Sequence, residues 1–132
     1  MAPYDYHQAD DLPEWLYRGV PAESPEVQDV RATGEISPPR PDLRSEWHRQ
    51  QHLLGFTDTA YTSWSAERAI AEYMARLTIE QEGLRGGVIV FRVRVETIDV
   101  ARLFPGCDDE QEWLIEGRVE GVELSEFDDE SE

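Results

Sequence analysis

A single domain of the α+β class is predicted by three features of this sequence. Its 132 residues lie near the commonest domain size. A chain of that length buries roughly two-thirds of its unfolded surface, enough to stand without disulfides or a structural metal. Its hydrophobic fraction of 39%, with 10% aromatic residues, is that of a globular core. Helix-like and strand-like runs are mixed along it, strands dominate its second half, and no segment repeats.

Residues 1–13 are polar and are expected to form a flexible N-terminus. Trp15-Leu16-Tyr17-Arg18-Gly19-Val20 is an aromatic and apolar run closed by Gly19 and Pro21, which reads as a strand. Residues 21–42 hold five prolines and one glycine, too many breakers for one long element. Within them Ser24-Pro25-Glu26 places a capping serine before a proline at the first helical position, predicting a short helix through Ala32. Leu43 to Leu54 reads as a polar helix, and Gly55 to Tyr61 as a loop into a strand at 60–64. The clearest helix follows, with Ser65 as its expected cap and Ala69, Ile70, Tyr73, Met74 and Leu77 at helical spacing. Gly83, Gly86 and Gly87 end it. Val88 to Val95 is the strongest strand and suits a buried position. Ile98 to Phe104 is a short helix or strand, and Pro105-Gly106 turns the chain. Glu112–Ile115 and Gly121–Leu124 read as strands around Gly117. Six of the last ten residues are acidic, so 125–132 read as a disordered acidic tail and 14–124 as the domain.

Composition narrows the function classes. Twenty-nine acidic residues against 12 basic ones give a net charge of −17. Such a field repels phosphate backbones and disfavours unaided nucleic-acid binding. Cys107 is the one cysteine; an intramolecular disulfide is ruled out, and nothing argues for an oxidising compartment. Its acidic surroundings should raise rather than lower the thiol pKa, which argues against a nucleophile. Met1 to Asp11 has neither the basic nor the apolar region of a signal peptide, and no run approaches the ~20 apolar residues of a membrane helix. A cytoplasmic protein is expected, or one delivered into a target cell's cytoplasm. His48 and His52 stand at i and i+4, a spacing that can bind zinc. A third ligand and the glutamate of the metalloprotease motif are both missing, so a solvated helix face is the better reading. No glycine-rich phosphate loop follows any strand.

Three fragments stand at the ends of three predicted strands: Tyr17-Arg18-Gly19, Tyr61-Thr62-Ser63-Trp64-Ser65 and Glu110-Gln111-Glu112-Trp113-Leu114-Ile115. Each has an ordinary reading when taken alone: an edge cation, a helix cap, and two carboxylates on one side of a strand by its period of two. In this order they resemble the arginine–serine–glutamate signature of mono-ADP-ribosyltransferases, and toxin-type bacterial members above all. The resemblance runs from about residue 16 to 124. It includes Leu16-Tyr17-Arg18-Gly19-Val20, the stretch from Tyr61 to Ala69, and the run from Glu112 through Gly117 to Val122. In the Ser-Thr-Ser element of that family, Tyr61 stands in the first place if Thr62 and Ser63 fill the other two. A shifted register would instead share the role among Thr62, Ser63 and Ser65.

The resemblance implies two packed, mainly antiparallel sheets around an NAD⁺-binding cleft, with flanking helices. It also implies transfer of ADP-ribose to a macromolecular acceptor by an antibacterial or defence-type toxin, with NAD⁺ as co-substrate, no metal and no membrane. A protein arginine is the first choice of acceptor and a nucleic acid the second, an order the acidic surface favours. A cognate immunity or antitoxin protein is a further implied partner. The Phe104–Asp109 loop would read the target.

The chemistry explains these residue types. Breaking the nicotinamide–ribose bond develops an oxocarbenium cation, which a fixed carboxylate stabilises. Glu112 is expected in that role, with Glu110 orienting or deprotonating the acceptor. Arg18 offers a planar fork for phosphates, or braces the cleft. Gly19 leaves its backbone open to the nicotinamide amide. Thr62 or Ser63 would lock the Glu112 rotamer. Tyr61 or Trp64 would wall the nicotinamide pocket, core packing being the more usual task of Trp64. The rivals are an NAD⁺ hydrolase, in which water is the acceptor, and an acidic inhibitor or nucleic-acid mimic that binds no NAD⁺.

Overall fold

The first strand, β1 (Trp15–Pro21), lies at the centre of a sheet rather than at its edge. The computed structural model describes residues 12–106 and 111–125. Around β1 stand β2 (Tyr61–Ser65), β3 (Val88–Arg94), β4 (Leu103–Pro105), β5 (Glu112–Glu116) and β6 (Glu123–Leu124). Their order across the sheet is β4-β5-β2-β1-β3-β6, and every pairing is antiparallel. The helices are α1 (Pro25–Thr33), α2 (Glu46–Leu53) and α3 (Arg68–Glu82). The α+β expectation holds, but one six-stranded sheet stands where two packed sheets were expected.

The join at the middle of that sheet is narrow. β1 pairs with β3 along its whole length, from Trp15↔Arg94 to Pro21↔Val88, and β2 pairs fully with β5, from Tyr61↔Glu116 to Ser65↔Glu112. Between β1 and β2 the register holds only Tyr17↔Ser65. Two well-laddered three-stranded halves therefore meet at one residue pair, and beyond it Arg18 and Gly19 have no ladder partner on β2.

Leu16, Val20, Phe91 and Val93 point to one face, where they pack with Val27 and Val30 of α1 and with Trp64, Trp113 and Ile115 of the other half. The alternation of strands carries this: Leu16↔Val93 and Trp64↔Trp113 are register pairs. On the other face α3 lies over β1, and α2 reaches β2 through the Arg49–Tyr61 and His52–Ser63 hydrogen bonds.

The face that α3 buries differs from its expected stripe. Ala71 and Ala75 are buried, whereas Ala69, Tyr73 and Met74 are exposed and Ile70 and Leu77 half-buried. The cause is Gly19: a Cβ there would run into the Ala71 carbonyl and lie 3.2 Å from the Ala75 Cβ. Small residues on both sides let the helix backbone settle onto the strand, and the larger side chains flank that contact. Ser65 is also not the cap of α3. It closes β2, its Oγ accepts from the Glu67 N–H at 3.0 Å, and the cap position falls to Glu67, which makes no side-chain cap bond. The other expected caps are present: Ser24 before Pro25, and Gly83 at φ 67° after α3. In α2 the capping box is closed by a histidine, with Ser45 and His48 as reciprocal partners.

Both ends of the domain reach further than expected. Leu12 packs against the main core, and Ser125 is buried, donating its backbone N–H to the Val90 carbonyl at 2.7 Å. No helix among the described residues is long and apolar enough to cross a membrane.

Candidate functional site

A cavity of about 160 Å³ lies where the two halves of the sheet part, under α3. Its lining includes Arg18 and Gly19 of β1, Ser63, Trp64 and Ser65 of β2, and Glu112 of β5. Ile70, Ala71 and Met74 of α3 form the apolar wall. The register explains the convergence. Tyr17↔Ser65 and Ser65↔Glu112 are consecutive pairs, so these three side chains form a row across β1, β2 and β5 on one face.

Glu112 is 8% exposed, with its side chain against Gly106. A Cβ on Gly106 would come within 2.7 Å of the Glu112 Cγ and 2.9 Å of its Oε1, so any side chain there displaces the Glu112 carboxylate. The Gly106 N–H also donates to the Glu112 carbonyl at 2.9 Å. Gln111 enters the strand at φ 49°, an uncommon conformation for a residue with a side chain, and its carbonyl accepts from the Ala66 N–H at 2.9 Å. The backbone on either side of Glu112 is thus tied to β4 and to the end of β2. Glu110, Cys107, Asp108 and Asp109 lie outside the described residues, and with them half of the expected target-reading loop.

Arg18 does not present an open fork. Its Nε and Nη2 donate to the two carboxylate oxygens of Glu26 at 2.8 and 2.9 Å, and its Nη1 donates to the Ser63 carbonyl at 3.0 Å. Of the two roles expected for it, this geometry is bracing: the guanidinium ties α1 to β1. It also gives Ser63 a hydrogen bond where the β1–β2 ladder has stopped. Gly19 is required by its close packing against α3, as above, and it also lines the cavity.

The hydroxyl motif divides by strand alternation. Thr62 is buried on the core side and accepts from the Trp64 indole N–H at 2.8 Å, so it neither lines the cavity nor touches Glu112. Tyr61 is also away from the cavity. Its hydroxyl accepts from Arg49 at 3.0 Å, its ring meets Phe104 edge-on, and it is buried with Ala60 and Leu114. Burial raises its phenol pKa. Trp64 is principally a core side chain, as expected, though it also borders the cavity. Ser63 and Ser65 remain on the cavity side, and the register partner of Glu112 is Ser65.

His52 corrects the expectation of a solvated helix face. It is 6% exposed, with Nδ1 2.7 Å from Thr59 Oγ1 and Nε2 2.9 Å from Ser63 Oγ. Burial, and secondarily the charge of Arg18, lower its pKa from 6.5 to about 4. His48 points elsewhere, bonding to Ser45 as part of the capping box. The i, i+4 pair is therefore one capping side chain and one buried side chain. The signal that could have separated them is the Ser45-x-x-His48 spacing of a capping box.

Comparison with known protein families gives no match for this chain, and comparison with curated proteins gives none either.

Proposed function

We propose that the cavity takes the nicotinamide–ribose end of NAD⁺ and that the protein transfers ADP-ribose to a macromolecular acceptor, a protein arginine before a nucleic acid. The observation that carries this reading is the buried Glu112 carboxylate, which faces the cavity beside Ser65 with Gly19 and Ser63 on the same wall. An engineered apolar cavity of roughly 150 Å³ holds one benzene ring, so about 160 Å³ suits a single six-membered ring, with the rest of the donor lying outside. The narrow join between β1 and β2 supports the same reading, because two three-stranded halves parting at a cleft approximate the two sheets of an ADP-ribosyltransferase fold.

In this reading the bond from ribose C1′ to the nicotinamide nitrogen breaks, and its electron pair leaves with nicotinamide. The Glu112 carboxylate stabilises the cation that develops on the ribose, an interaction strengthened by exclusion of water. An acceptor nitrogen then bonds to C1′ and gives its proton to a carboxylate, the role expected of Glu110. Arg18 acts from behind the wall, holding the Ser63 backbone.

Incubation with labelled NAD⁺ and a bacterial lysate, with and without nuclease, tests the reading. Label on nuclease-resistant protein supports the arginine acceptor, label lost with nuclease supports the nucleic acid, and free ADP-ribose alone supports a hydrolase. Glu112→Gln is expected to lower turnover by about 10²–10³, the usual effect of deleting one electrostatic stabiliser. Equal turnover by this variant overturns the role. The net charge of −17 favours one rival, an acidic binding protein, which predicts neither NAD⁺ binding nor sensitivity to Glu112→Gln.

A further inference from the structure

Ser63 is held at two of its polar atoms, its carbonyl by Arg18 and its hydroxyl by His52. The second contact belongs to a buried chain, Thr59 Oγ1 to His52 Nδ1 at 2.7 Å and His52 Nε2 to Ser63 Oγ at 2.9 Å. The direction of that chain follows from counting donors. Thr59 Oγ1 already accepts from the Tyr61 N–H at 3.1 Å, and Thr59 is buried. Its own hydroxyl proton needs an acceptor, and among the described residues His52 Nδ1 is its one hydrogen-bonding partner besides Tyr61. If His52 carried its proton on Nδ1, the Thr59 proton would be stranded in the interior, which is costly. With the proton on Nε2 every group is satisfied: Thr59 donates to Nδ1, and Nε2 donates to Ser63 Oγ. Ser63 then receives rather than gives a hydrogen bond behind the wall, and its own proton is left to point into the cavity that it lines.

We propose that His52 is a positioning residue that fixes the polarity of Ser63, making this hydroxyl a hydrogen-bond donor to an acceptor oxygen of the bound ligand. With NAD⁺ as the ligand, which rests on the reading above, that oxygen belongs to the carboxamide or to the nicotinamide ribose. The two hydroxyls on the cavity side then divide the work. Ser65 lies beside the reacting carboxylate, and Ser63 reads the ligand.

The test needs two readouts that fail independently. In ¹⁵N-histidine-labelled protein without ligand, His52 is expected as the Nε2–H tautomer; the Nδ1–H tautomer overturns the proposal whatever the ligand. NAD⁺ titrations then compare His52→Asn with His52→Gln. Asparagine reaches only the Nδ1 position, so it keeps a partner for Thr59 and loses Ser63. Glutamine reaches the Nε2 position and can still donate to Ser63. His52→Asn is expected to weaken NAD⁺ binding by about tenfold (about 1.4 kcal/mol), and His52→Gln to restore it to within about threefold of wild type. Equal affinities for wild type and His52→Asn, at equal thermal midpoints, overturn the proposal. Absence of NAD⁺ binding by the wild type overturns the NAD⁺ reading instead, and the tautomer alone then decides the role of His52.

Discussion

On one face of β2, Thr62 and Trp64 lie in the apolar core, joined by a hydrogen bond of 2.8 Å. On the other, Ser63 and Ser65 border the cavity, held by contacts that reach out to α1, α2 and β5. The residues alternate along five consecutive positions, so neither side differs from the other in distance from Glu112 along the chain. What separates them is the neighbour that each face meets. The core face meets side chains that need only shape and one internal partner. The cavity face meets the gap left where the β1–β2 ladder stops; there Ser63 is held by arginine and histidine, while Ser65 keeps backbone partners.

If that contrast is right, damage to the core face should appear in stability and damage to the cavity face in function. Trp64→Ala is the largest expected effect. Emptying this buried site should cost about 3–5 kcal/mol, read as a lowered denaturant midpoint, and a cost under about 1 kcal/mol would show that Trp64 is not a core side chain. Arg18→Lys comes next and belongs to both sides of the contrast. A lysine cannot serve Glu26 and the Ser63 carbonyl together, so a loss of about 2 kcal/mol is expected in the melt, with weaker NAD⁺ binding as Ser63 shifts. An unchanged melt would make this arginine a ligand clamp rather than a brace.

The smallest effect is one of pH. Because His52 titrates at about 4 in the fold and near 6.5 when unfolded, the unfolded chain binds the extra proton between those values. The stability held by its neutral burial is complete above about pH 6.5 and is lost as pH falls toward about 4. Allowing for residual solvent screening, about 1.5 kcal/mol is expected. Melts of wild type and His52→Gln from pH 7 to pH 4 isolate this share, since their carboxylates are common to both. A constant gap between the two proteins would place His52 in contact with solvent.

Much of the framework was legible because it is local. The 15–20, 60–64, 88–95 and 112–115 strands, the Ser24-Pro25 start of α1 and the glycine stop of α3 each follow from residues within one turn or one strand. The hidden parts depend on contacts between distant segments. Nothing near Arg18 announces Glu26 as the partner of its fork. Nothing in the 48–52 stretch says that one histidine caps a helix while the other is buried against β2. The face of α3 was misjudged because large apolar residues were weighted above alanines, when the glycine opposite rewards closeness. The motif alone leaves open whether Thr62 or Ser63 faces Glu112, and the strand's period of two sends the two hydroxyls to opposite sides.

The tie between Gly106 and Glu112 has a consequence for how this domain can change over time. The two ends of the intervening stretch are clamped by a backbone hydrogen bond of 2.9 Å, and the Gln111 carbonyl is anchored separately to Ala66. Those two anchors fix the backbone around Glu112 from both sides. Lengthening such a loop is inexpensive, roughly 0.6 kcal/mol for each doubling. Grafting foreign loops of different lengths between Gly106 and Gln111 should therefore leave the fold intact. On the proposed reading the graft also replaces Glu110, so it alters transfer to the acceptor while the backbone around Glu112 keeps its ties.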